Sequence, residues 1–182
     1  MQDLALIIID MQKGMASVPA SERNNLFAEE NIQALMTAWR SRDLKIAHVK
    51  HISESSRSPF FKGGNGAEFQ DSFRPQKNEK VVEKCIPDAL TGSSLKQWLG
   101  ENNIAQLVVV GVSTNNSVES TARTAGNLGF DTIVVSDATF TFPKQDFHGV
   151  NRSADEVHAM SLANLKDEYA RILTTSDVLF ML

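Results

Sequence analysis

The sequence predicts an α/β domain built on a doubly wound, mainly parallel sheet. Two observations carry this expectation. Short apolar runs alternate with helical patterns along the whole chain, the signature of strand–helix–strand units. The runs are also rich in Val and Ile, and several lack polar alternation, as strands buried on both faces do. The chain has 182 residues, enough for one domain, 1–182, with a sizeable core.

The strands are expected at 4–9 (LALIII), 45–52 (KIAHVKHI), 80–83 (KVVE), 106–111 (QLVVVG), 131–136 (DTIVVS) and 169–174 (YARILT). Helices are expected at about 25–41, 93–101, 116–128, 154–167 and 175–181. Ser153 and Glu156 have capping-box spacing ahead of VHAMSLANL. Asn116 and Glu119 repeat that spacing ahead of the helix from 116. Gly129 stands where a helix C-terminus favours glycine. The segment 53–79 is rich in Gly, Ser and Pro, yet it holds Phe60, Phe61, Phe69 and Phe73. A loop this long is usually functional or disordered, and four phenylalanines argue against disorder. Two roles stand open for it, a lid or pocket wall and a subunit contact.

The net charge is −4, with no basic block to hold nucleic acid and no acidic tail. Cys85 is the single cysteine, so no internal disulfide can form, which fits a reducing compartment. The first apolar run is cut by Asp10 and lacks a basic start, so it reads as a buried strand. It is too short for a signal or membrane-spanning segment. These readings together lead to an expectation of a cytoplasmic protein acting on a small molecule, with no nucleic-acid or membrane partner.

In doubly wound sheets ligands bind beyond the carboxyl ends of the strands, which directs attention to the polar residues there. Asp10 ends the first run, where burial would raise its pKa and a nearby cation would lower it; alone, it could equally cap a turn. Lys84 ends the third run and could otherwise be a surface lysine. Ser117 follows the fourth run, in GVSTNNSVESTAR. If Asn116 caps the helix, Ser117 lies in its first turn, beside backbone N–H groups free to bind an oxyanion. A serine at such a place more often only starts a helix.

The ordered set of these segments resembles the isochorismatase-like hydrolases, also called the cysteine hydrolase superfamily. LIIIDMQ is similar to their first strand and aspartate, and VVEKCIPDALTGSSL to their lysine segment, with Leu90 in place of the usual phenylalanine. VVVGVSTNNSVESTARTAGNLGFDTIVVSDA resembles their nucleophile turn and the strand after it, and SADEVHAMSLANL their last long helix. The resemblance implies a three-layer α/β/α fold, Rossmann-like, with a six-stranded parallel sheet. It implies Asp10 and Lys84 as two members of a catalytic triad. It further implies a cis peptide at Val112–Ser113 that shapes an oxyanion hole, and assembly as a homo-oligomer.

The amidase branch of that superfamily has cysteine where this chain has Ser117. There the aspartate takes the thiol proton and the lysine lowers the thiol pKa. Three readings of Ser117 stand: a natural serine, a cysteine-to-serine replacement of the kind that traps substrate, or a residue that merely lines the pocket. Cys85 cannot stand in for the missing thiol, because adjacent strand-end residues point to different faces. The isochorismatase branch proper has glycine at that position and cleaves a vinyl ether, with the aspartate as acid.

The segment HVKHISESS lacks the Asp-x-His of nicotinamidases. His48 and His51, three apart on a strand, face opposite sides and make no metal pair, so no metal or cofactor is expected. His48 and His158 read as packed side chains. Gln12, His51, Phe60, Asn116 and His148 complete the candidate substrate-binding set. The resulting expectation is a metal-independent hydrolase acting on the C–N bond of a small amide-like substrate. A vinyl-ether hydrolase and a non-catalytic binding or assembly module are the alternatives.

Overall fold

The computed structural model describes residues 3–16 and 22–182. In chain order the elements are β1 (Leu4–Ile9), α1 (Lys13–Ala16), α2 (Ala28–Ser41), β2 (Lys45–His51), β3 (Lys80–Lys84) and α3 (Leu95–Glu101). There follow β4 (Gln106–Val112), a π-helical turn (Thr114–Val118), α4 (Glu119–Asn127) and β5 (Asp131–Phe140). The chain ends with β6 (Lys144–Gln145), β7 (Asn151–Arg152), α5 (Ala154–Leu165), β8 (Arg171–Leu173) and α6 (Thr175–Met181).

Six strands form one sheet in the order β3-β2-β1-β4-β5-β8, and every pairing in it is parallel. Strand β1, six buried apolar residues, lies between β2 and β4, so its alternate side chains feed two cores. Leu6 and Ile8 pack against Ile32, Leu35, Met36 and Trp39 of α2 and Val178 of α6. Ile7 and Ile9 pack against Leu95 and Leu99 of α3, Ala122 and Ala125 of α4 and Leu165 of α5. The fold is therefore three-layered, as expected. No helix among the described residues is long and apolar enough to cross a membrane.

The chain leaves β1 in one direction for β2 and β3, then returns on the other side for β4 and β5. The strand order thus reverses between β1 and β4, which places a crevice at their carboxyl ends. Gly111 makes this junction possible. Its φ is +113°, and a Cβ there would meet the Ile9 carbonyl oxygen at 2.1 Å. Beside it the β4–β5 register jumps, from Val109 opposite Val134 to Gly111 opposite Thr139. This bulge carries β5 on to Phe140, beyond the run expected to end at 136.

The Ser153–Glu156 capping box is present with both of its bonds, and Gly129 adopts positive φ after α4. The box expected at Asn116 is not. No side chain caps the turn; the N-cap is Ser113, and α4 begins only at Glu119. The physical reason is competition for Glu119, whose carboxylate receives Arg123 at 2.8 Å and Ser161 Oγ at 2.6 Å.

Segment 53–79 is stitched onto the turn after β1. Lys13 N–H donates to Glu68 O, Gln70 N–H to Met11 O, and Gln12 bridges Phe69. Gly66 lets the segment close on itself and approach α1, since a Cβ there would meet Pro59 O at 2.0 Å and Gly14 Cα at 3.3 Å. Phe73 is fully buried in the α2-side core, and Phe61 remains exposed.

Candidate active site

Three strand ends and one turn build the site. Asp10 follows β1 in the left-handed region, φ 53°. Its backbone N–H donates to Val49 O, which turns the carboxylate inward. Lys84 closes β3, and its stem is buried where Val81, Glu83 and Cys85 are exposed. This confirms that Lys84 and Cys85 face opposite ways. The lysine segment is fixed from behind by Asp88, which accepts from Leu90 N–H at 2.8 Å and from Thr124 Oγ1 of α4 at 3.0 Å. Thr121 of α4 accepts from Ala89 N–H at 3.0 Å.

The three side chains meet. Lys84 Nζ donates to Asp10 Oδ2 at 2.8 Å and to Ser117 Oγ at 3.2 Å. All three residues are buried. The second carboxylate oxygen, Asp10 Oδ1, is buried with no hydrogen-bond partner. Burial pushes the Asp10 pKa above its ordinary value, against the pull of Lys84 and Ser117. The Val112–Ser113 peptide at the mouth of β4 is cis. Such a site holds a proton acceptor, a fixed positive charge and a hydroxyl within one hydrogen-bonded unit, the components of nucleophilic acyl transfer.

Residues 4–177 match the model of the isochorismatase domain. A protein of Bacillus subtilis, the uncharacterized isochorismatase family protein YrdC, is 36% identical over 175 residues, covering 96% of this chain and 94% of its own. A solved structure of an isochorismatase-family protein from Chromobacterium violaceum superposes with a TM-score of 0.92 at 44% identity, covering 98% of this chain and 92% of that one. The chain belongs to the isochorismatase family of hydrolases. A more distant relative is the ureidoacrylate amidohydrolase RutB of Acinetobacter baylyi, 23% identical over 96% of this chain and 81% of its own.

Within this isochorismatase-family site, His51 pairs with Lys84 in the sheet register. It is half-buried, with Phe60 edge-on at 5.7 Å between ring centroids. Burial and then the Lys84 charge lower its pKa, against the pull of Asp10. His51 and Phe60 together form a wall beside the triad.

The other expected substrate contacts have partners of their own or face solvent. Gln12 is fully buried, and its carboxamide is used by the backbone. Nε2 donates to His51 O and Ala67 O, each at 2.9 Å, and Oε1 accepts from His51 N–H at 2.8 Å. It ties β2 and segment 53–79 to the turn after β1, and offers nothing to a ligand. Asn116 is exposed, and its neighbour Asn115 is the one held, accepting from Thr141 Oγ1 at 2.6 Å. His148 is exposed in the β6–β7 hairpin, its ring against Phe147. A groove of about 840 Å³ runs between that hairpin and α5. Its lining includes Asn115, Glu119 and Met160 but none of the triad.

His48 is packed, as expected, and lies 2.8 Å from Glu79. Among the described residues no three His, Cys, Asp or Glu side chains gather as metal ligands would. Sequence reasoning missed Thr114 and Ser161 and read Glu119 only as a cap partner; Ser161 joins Glu119 to the Thr114 carbonyl and so ties the turn to α5. The signal for Ser161 was a single small polar residue among the buried positions of α5, with Ala154, His158 and Leu165.

Proposed function

We propose that the protein hydrolyses the C–N bond of a small amide-like substrate, with Ser117 as nucleophile. The observation that carries this reading is the buried Lys84 ammonium, which joins the Asp10 carboxylate at 2.8 Å to the Ser117 hydroxyl at 3.2 Å. Ser117 Oγ attacks the amide carbonyl while Asp10 takes its proton. The developing oxyanion lies against backbone N–H groups at the start of the turn. When the C–N bond breaks, Asp10 returns the proton to the leaving amine. A water, deprotonated by Asp10, then cleaves the acyl-serine ester and restores the hydroxyl. Lys84 keeps its protons throughout and stabilises the negative charge that moves between Asp10 and Ser117. The similarity to an amidohydrolase supports the C–N bond as the target.

A second reading rests on the raised pKa of Asp10. Held protonated, it would serve as the acid that protonates a vinyl ether, with Ser117 only lining the pocket.

Kinetics of Ser117→Ala on a panel of small primary amides and ureido compounds separate the two. With Ser117 as nucleophile, alanine lowers kcat/KM by ~10³-fold or more. A loss below about tenfold would overturn Ser117 as nucleophile, and turnover of a vinyl ether but of no amide on the panel would replace the first reading by the second.

A further inference from the structure

The turn that carries Ser117 is not an ordinary helical turn. Val118 N–H donates to Ser113 O at 3.2 Å, five residues back, and Asn116 N–H donates to the same oxygen at 3.0 Å. A π-turn is rare and needs external support to persist. Its first residue, Thr114, is fully buried and is gripped twice by α5. Thr114 Oγ1 lies 2.9 Å from His158 Nδ1. Ser161 Oγ lies 3.0 Å from Thr114 O and 2.6 Å from Glu119 Oε2, its one proton shared between them.

His158 is itself anchored. Its second nitrogen, Nε2, lies 3.4 Å from Asn25 Nδ2. Asn25 closes the bulge behind it, donating to Ser136 O at 2.7 Å and Thr139 O at 2.6 Å. The next turn residue, Asn115, is held by Thr141. None of these hydrogen bonds reaches Asp10, Lys84 or Ser117.

We infer that Thr114, clamped by His158 and Ser161 of α5, is the positioning residue that sets Ser117 Oγ at bonding distance from Lys84. The inference rests on the reading of Ser117 as nucleophile for its catalytic meaning. The clamp itself stands on the hydrogen bonds alone. Released from α5, the turn relaxes towards α geometry, and the residue at 117 is carried away from the ammonium.

Two measurements on the full chain test this. Hydrogen exchange follows the Asn116 and Val118 amides, which report the π-turn directly. Thr114→Val keeps the side-chain shape and removes the hydroxyl. It should speed exchange at both amides about tenfold or more and leave β1 amides unchanged, whereas Thr114→Ser should exchange as the parent does. In a Ser117→Cys background, the pH dependence of iodoacetamide labelling at 117 reports how closely Lys84 approaches. Thr114→Val should move that profile to higher pH, towards an ordinary thiol, and Thr114→Ser should restore it. A role in packing alone would lower thermal stability without moving the profile. Should Thr114→Val not fold, Ser161→Ala removes the second grip and should shift both readouts the same way. Exchange at 116 and 118 within about twofold of the parent would overturn the clamp. If Ser117→Cys with Thr114 intact labels like an ordinary thiol, the nucleophile reading fails, and the exchange rates alone decide the clamp.

Discussion

Lys84 Nζ and Asp10 Oδ2 lie 2.8 Å apart with side-chain exposures of only 0% and 7%. An ion pair this deep is sensitive to the loss of either partner, because the survivor stays buried without compensation. Lys84→Met should cost about 3–5 kcal/mol at pH 7, measured by urea denaturation. The deficit should shrink on acidification. Asp10 has its folded pKa raised by burial even with Lys84 present, and without the cation it rises further. A carboxyl with a raised folded pKa favours the fold at low pH and loses that contribution as pH rises through the folded pKa. A deficit that grows as pH falls would contradict this electrostatic account.

Behind the sheet, Glu79 joins Arg40 Nε at 2.7 Å and His48 Nε2 at 2.8 Å. Burial alone would raise its pKa, yet bonds from Arg40, the Gln76 N–H and His48 hold it down at about 2. A carboxylate with a depressed folded pKa contributes stability above its ordinary value of 4.5, lost as pH falls from there through about 2. His48, held below 6.5 mainly by burial, acts in the same direction at higher pH. Arg40 is partly solvated, which screens the pair, so Glu79→Gln should cost about 1–2 kcal/mol at pH 7. Its stability should also fall less than the parent's between pH 4.5 and 2. An acid-unfolding curve parallel to the parent's in that window would refute the assignment.

Gly111→Ala should be among the most damaging single changes. The added Cβ meets Ile9 O at 2.1 Å and must adopt φ +113°. Strain of this kind, with a clash between two central strands, costs more than ~3 kcal/mol. Thermal unfolding of the variant checks it, and a loss below about 1 kcal/mol would show that β1 and β4 can separate locally.

The strand-end carboxylate, lysine and serine were legible in the sequence because each follows an apolar run, and a parallel sheet brings such ends to one edge. His48 and Cys85 were legible for the same reason, through the two-residue period of a strand. The failures all lie in irregular backbone. Asn116 has the spacing of a cap, but Glu119 is drawn to Ser161 and Arg123, partners that no local pattern contains. Gln12 sits two residues from Asp10, yet its amide acts as a piece of backbone for β2 and segment 53–79. His148 lies near the correct edge in sequence, but a two-stranded hairpin carries it out to solvent. Thr114, His158 and Ser161 are ordinary small or polar residues until the long-range contact between α5 and the turn assembles them.

The central claim is that Ser117 forms a covalent acyl intermediate under the control of Asp10 and Lys84. Intact-protein and peptide mass spectrometry, after acid quench of a reaction with an activated acyl ester such as p-nitrophenyl acetate, test it most directly. The account predicts a single acyl adduct on Ser117, absent from Ser117→Ala and strongly reduced in Asp10→Asn. An adduct on another residue, or undiminished ester hydrolysis by Ser117→Ala, would contradict it.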